Sequence, residues 1–127
     1  MTEHSASIEA VADGLRSALE SADLVTLGEL LAPDVTWGPP GAKNPTCQNK
    51  NEVLTWYERG RSSGSRAKVC ELVIEGDRVL VGLLVKGSHG SSAERWQVYT
   101  VRAGRITDIV GFDSRSEAIS WERSSSD

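Results

Sequence analysis

A chain of 127 residues, 39% hydrophobic and 25% charged, can build one core and is too short for two ordinary domains. With 14 basic against 18 acidic residues and a net charge of −4, it lacks the clustered basic surface of a nucleic-acid binder. No stretch approaches the length of apolar chain that crosses a membrane, and MTEHSASIEAVADG lacks the basic-then-apolar order of a secretory signal.

Ile8, Val11, Ala12, Leu15, Ala18, Leu19 and Ala22 recur at helical spacing and predict a first helix, with Ser7 as its N-cap. Asp23 restarts a shorter helix carrying Leu24, Leu27, Leu30 and Leu31 inward, and Pro33 is expected to stop it. Asp34–Trp37 reads as a short strand. Gly38–Thr46, with three prolines and two glycines, reads as an irregular loop. Asn49 and Glu52 form a variant capping box that opens a third helix, with Val53, Trp56, Tyr57 and Gly60 on one side.

From Arg66 the period becomes two. Arg66–Glu75 and Arg78–Lys86 flank Gly76–Asp77, a pair suited to a tight hairpin turn. Gly87–Ser92 is a looser tip. Ala93–Arg102 and Arg105–Phe112 follow, joined at Ala103–Gly104. Ser114 and Glu117 cap a last helical turn ending near Trp121, and Ser124–Asp127 reads as a disordered tail. This order predicts a single α+β domain over 1–127, ordered from about 7 to 121. Three N-terminal helices would pack on a curved antiparallel sheet and enclose a cavity. Cys70 is expected as a small buried strand residue and Cys47 as a loop residue. With no C-x-x-C spacing, both read as reduced thiols of a cytoplasmic protein.

Three stretches carry a family resemblance: Ser21–Leu24 followed by Leu30–Trp37, Arg102–Ile106, and Phe112–Ala118. In that order and spacing the chain resembles the nuclear transport factor 2-like superfamily and, within it, the SnoaL-like group. The resemblance implies a cone-shaped, cystatin-like fold with a pocket between the helices and the inner sheet face. It also implies homodimers packed through the outer face. By strand parity Arg95, Gln97, Tyr99 and Val101 share one face, and Trp96, Val98 and Thr100 the other. Trp96 and Val98 are therefore expected to be an exposed apolar pair that a dimer would bury.

The catalytic residues of the relatives are not matched. Where ketosteroid isomerase-like members carry a tyrosine, a base and a buried acid, this chain resembles them in position only, with Leu15, Pro39 and Gln97. The acid/base carboxylate of SnoaL-like cyclases also corresponds to Gln97, and an amide has no accessible proton equilibrium. The Asp–Arg–Asp set of limonene epoxide hydrolase-like members falls on Leu83–Val85 and around Val110–Gly111. Asp113 remains as the weak catalytic candidate, with Arg95 and Glu94 as fallbacks. Glu71 and Glu94 read as solvated strand residues. His4 and His89 are too far apart in sequence, and too few, to suggest a metal site, and no cofactor motif is present.

Five of the seven aromatic residues, Trp37, Trp56, Tyr57, Tyr99 and Phe112, fall where they could line one cavity. Aromatic walls with a few polar handles suit a small apolar or aromatic ligand. The expected ligand residues are Trp37, Trp56, Tyr99, Gln97 and Arg95. The function expected is small-molecule binding, extending to an isomerase, cyclase or dehydratase reaction. The alternative is a non-catalytic homodimeric interaction module with a vestigial pocket.

Overall fold

The amphipathic stripe of the first helix and the alternation of the C-terminal strands meet in one core. A computed structural model describes residues 7–38, 46–87, 90 and 92–124, with side chains to 120. The first helix, α1 (Ile8–Ser21), is capped by Ser7, whose hydroxyl accepts from the Ala10 N–H. It ends at Ala22, in the left-handed region at φ 55°. Asp23 caps α2 (Leu24–Leu30) through the Thr26 N–H, and Asn49 caps α3 (Lys50–Ser62) through the Glu52 N–H. The Glu52 carboxylate reaches back to the Gln48 N–H at 2.7 Å, one residue earlier than a standard capping box.

Five strands follow the order β1-β5-β4-β3-β2: β1 (Leu31–Gly38), β2 (Arg66–Glu75), β3 (Arg78–Lys86), β4 (Ser92–Arg102) and β5 (Arg105–Phe112). The three hairpin-linked pairs are antiparallel, but β1 lies parallel to β5, so the sheet is mixed rather than purely antiparallel. Leu31 and Pro33 belong to β1 rather than to the helix and its stop. Pro33 is tolerated there because β1 is an edge strand whose register breaks between Leu31 and Thr36.

Helices α1 to α3 cover the inner face, where Val11, Leu15, Leu27 and Val53 pack against Leu31, Val35, Val79, Val81, Tyr99, Ile106 and Ile109. A fourth helix, α4 (Arg115–Ser124), runs past Trp121 and lies on the opposite face. There Ala118, fully buried, meets Leu80, Trp96, Val98, Val110 and Phe112. The expectation that Trp96 and Val98 form an exposed pair is thus corrected. They are 9% and 0% exposed within one chain, because the C-terminal segment folds back over them.

The cysteines also exchange roles. The β2–β3 register shifts between Val69 and Glu71, which places Cys70 in a bulge and exposes it. Cys47 instead pairs with Trp37 through two backbone hydrogen bonds of 2.9 Å and is buried in the core. Burial, with the charge of Glu52 second, pushes its thiol pKa up. The N–H of Val69, beside the bulge, donates to the Glu20 carboxylate on α1 at 3.0 Å. The same bulge sets Glu71 opposite Gly82. Rather than being simply solvated, Glu71 takes a bidentate pair from Arg115 of α4, at 2.8 and 2.9 Å.

Candidate functional site

A cavity of about 970 Å³ lies between the inner sheet face and α1 to α3 and extends past the end of β5 to Trp96, Phe112 and the α4 residues Ser116, Glu117 and Ser120. Parity within β4 turns Gln97 and Tyr99 toward the inner side, and Gly111 of β5 faces Gln97 in the ladder. A Cβ on Gly111 would sit 3.7 Å from the Trp37 indole nitrogen, so its small size leaves the space beside Trp37 open.

The aromatic wall is built from β1 and α3. Trp37 stacks on Tyr57 with ring centroids 5.1 Å apart and planes 20° from parallel, and meets Trp56 edge-on at 5.9 Å. Trp56, 49% exposed, forms the outer end of this wall. Tyr57 was a cavity aromatic in sequence but not among the expected ligand residues. Its place on α3 between Trp56 and Gly60 is the signal that could have included it, since all three line the cavity.

Trp37, Trp56, Gln97 and Arg95 line the cavity, whereas Tyr99 does not. Fully buried, Tyr99 sits one layer deeper: its hydroxyl donates to Gln97 Oε1 and lies 3.2 Å from the Tyr57 hydroxyl. Because the single Tyr99 proton is committed to Gln97, the Tyr57 hydroxyl is the donor of the second bond. The result is a chain from Tyr57 through Tyr99 to Gln97. Burial, its main cause, pushes the Tyr57 hydroxyl up to about 12 and the Tyr99 hydroxyl also well above its ordinary value. Both phenols therefore remain protonated near neutral pH and act as hydrogen-bond groups rather than bases.

The charged residues of the cavity lining are Arg61, Arg66, Arg95, Asp113 and Glu117. Arg95 and Asp113 follow on from the Gln97–Gly111 pair on the same face, but no ion pair joins them among the described residues. The Arg95 guanidinium is instead within 3.2 Å of the Glu94 carbonyl, and Glu94 is an exposed strand residue. Of the positions compared in sequence with relatives' catalytic groups, Leu15 is buried in the core, Leu83, Val85 and Gly111 line the cavity, and Gln97 brings a buried amide to its wall. Pro39, His4 and His89 lie outside the described residues. Among the described residues no group of three or more His, Cys, Asp or Glu side chains could hold a metal ion. No helix among them is long and apolar enough to cross a membrane.

The SnoaL-like domain model matches residues 11–109. The chain belongs to the SnoaL-like family. It is similar to a provisionally assigned polyketide cyclase from Sinorhizobium meliloti, at 25% identity over 81% of this chain and 94% of that one, with a TM-score of 0.66. A loop-truncation variant of IdmH is also 25% identical, over 91% of this chain and 99% of that one, with a TM-score of 0.70. An epoxide hydrolase of M. tuberculosis, like limonene epoxide hydrolase, shares the fold at 17% identity and a TM-score of 0.65, over 88% and 86% of the two chains. No curated protein matches. The SnoaL-like architecture is the cone-shaped α+β fold found also in cystatin-fold proteins, and it carries isomerases, cyclases and epoxide hydrolases alike.

Proposed function

We propose that this SnoaL-like chain binds a flat, mainly apolar small molecule between the Trp37–Tyr57 stack and Gln97. The observation that carries the reading is a cavity of about 970 Å³ with, on its inner part, an aromatic wall on one side and a buried amide on the other. Apolar body and few polar handles are the usual makeup of a small-molecule site. Such a molecule would quench Trp37 and Trp56, so titrating polycyclic aromatic ketones and steroids against tryptophan fluorescence tests the reading directly. Trp37→Ala is expected to weaken binding by about tenfold, the effect of losing an aromatic contact and its burial. Absence of binding across the panel, checked by native mass spectrometry, would overturn it.

A proton-transfer reaction of isomerase, cyclase or dehydratase type in the same cavity would draw on Asp113, a carboxylate on its wall. The Tyr57 and Tyr99 phenols, protonated near neutral pH, would serve only as hydrogen-bond groups. A homodimer through the outer sheet face would have to include α4, which covers Trp96 and Val98. Val73 and Ile119, partly buried beside that apolar cluster, support this placement. Sedimentation velocity of wild type and Ile119→Asp tests it, and a monomeric wild type removes it.

A further inference from the structure

We infer that Tyr99, although it does not line the cavity, sets the hydrogen-bond sense of the ligand site. By holding Gln97 Oε1 it presents the amide N–H to the cavity, so the site takes a carbonyl oxygen and disfavours a donor at the same point. The inference rests on reading the cavity as a ligand site and adds what the polar end of that site selects.

The first observation is which end of the amide is open. Gln97 is more than nine-tenths buried, and it lines the cavity. Its Oε1 accepts the Tyr99 proton. Its Nε2 forms no hydrogen bond of normal length among the described residues, yet it is not one of the enclosed atoms there that lack a partner, so it keeps some open surface. Buried polar groups are nearly always satisfied, and a carboxamide nitrogen only donates. An amide N–H that reaches a cavity without an acceptor from the chain marks a place where an acceptor from outside fits.

The second observation is how the two phenols keep the amide this way round. The Tyr57 proton goes to the Tyr99 oxygen at 3.2 Å, and the Tyr99 proton goes on to Oε1. The Gln97 amide also bears on the Tyr57 hydroxyl, weakly favouring its ionised form as an N–H facing the phenol oxygen does. Oxygen toward Tyr99 and nitrogen toward Tyr57 is thus the arrangement that both phenols read. Without the Tyr99 hydroxyl, Oε1 loses its donor and the Tyr57 proton loses its acceptor. One movement mends both losses: the amide turns over, Oε1 comes round to Tyr57, and an acceptor replaces the N–H at the cavity wall. Tyr99 is therefore a positioning residue that acts through Gln97.

The surroundings narrow the ligand class. Gly111 faces Gln97 across the ladder and leaves room beside Trp37, while Leu83 and Val85 continue the wall. A flat aromatic skeleton with a ketone or quinone oxygen at its edge meets both the apolar walls and the single neutral donor.

Equilibrium dialysis with three tricyclic probes of one outline provides the test. 9-Fluorenone, fluorene and carbazole carry a carbonyl, a methylene and an N–H at the same ring position. Wild type is expected to bind fluorenone about fivefold tighter than fluorene, the discrimination of one neutral hydrogen bond, and carbazole no better than fluorene. Gln97→Met should make the three equal. Tyr99→Phe should reverse the preference, with carbazole about threefold or more ahead of fluorene and fluorenone without its advantage. A merely structural role for Tyr99 would weaken all three together and leave their ratios unchanged. A further readout uses wild-type protein labelled with ¹⁵N in the side-chain amides of its two glutamines, Gln48 and Gln97. The Gln97 pair, identified as the one that survives in Gln48→Ala, should move downfield with fluorenone and not with fluorene. If ketone and hydrocarbon bind equally, or the ratios are the same in Tyr99→Phe, the inference is overturned while the cavity remains a ligand site. If none of the probes binds, both readings fall.

Discussion

Ala103 and Gly104 turn β4 into β5 with both φ angles positive, 52° and 78°. Tight hairpins favour such turns because their twist matches that of the strands, but the first position is normally Asn, Asp or Gly. An alanine held there meets the steric cost of the left-handed region, about 1 kcal/mol. Ala103→Asn keeps the turn and relieves the strain, so the folded state should gain about 0.5–1 kcal/mol. A denaturant midpoint raised with unchanged slope would show this, and an unchanged midpoint would refute it. A similar single-residue logic governs the site. One proton on Tyr99 decides the direction of the whole Tyr57–Tyr99–Gln97 chain. Alternation along β4 placed Gln97 and Tyr99 on one face. It could not show that Tyr99 lies a layer beneath the cavity wall, because depth depends on what α3 brings over it.

At the level of elements, α4 has a weak outer fastening. Its Ala118 is buried, but its link to β2 is an exposed ion pair, Arg115 with Glu71. Surface pairs of this kind contribute little to global stability; here the pair's role is local, tethering the start of α4 to β2. Hydrogen bonding from Arg115, with its charge adding to the effect, holds the Glu71 carboxyl below its ordinary value of 4.5. A carboxylate with a lowered folded pKa stabilises at pH above its unfolded value and loses that effect as pH falls through the folded value. Amide exchange in α4, compared with that in β3, should therefore rise a few-fold as pH drops below 4.5, after correction for intrinsic rates. In Glu71→Gln the ratio should already be raised at neutral pH and remain flat. A wild-type ratio that does not respond to acid would show that the pair does not fasten the helix.

The elements themselves were largely legible in the sequence. Helical spacing located α1 and α3, and the Gly76–Asp77 and Ala103–Gly104 turns set the hairpins. What was not legible depended on tertiary partners. The parallel placement of β1 beside β5 is a long-range pairing, and no local signal separates it from an antiparallel edge. The bulge at Cys70 breaks the alternation that made that residue look buried. Trp96 and Val98 have the pattern of an exposed apolar pair until α4 folds back, and the capping signal at Ser114 announces a helix without saying where it docks.

Across the whole molecule, the hollow core sets stability against function. An open space of about 970 Å³ forgoes the packing contacts a filled interior would make. Filling part of it should therefore strengthen the fold and weaken the site, as stabilising changes at functional cavities often do. Gly111 offers the cleanest way in. It lies on the inner face of β5, and a Cβ there would make only ordinary contact with the Trp37 indole, at 3.7 Å. Gly111→Val adds a β-branched residue that suits a strand and directs two methyl groups into the space between Trp37 and Gln97. The melting temperature should stay level or rise, with the gain bounded by about 0.8 kcal/mol for each buried carbon. Affinity for the aromatic ketones of the panel should fall at least tenfold, about 1.4 kcal/mol, because the ligand and the new methyl groups compete for the same volume. Paired thermal melts and fluorescence titrations separate the two effects. A variant that is more stable and still binds as wild type would mean that the ligand does not lie against Trp37 and Gln97.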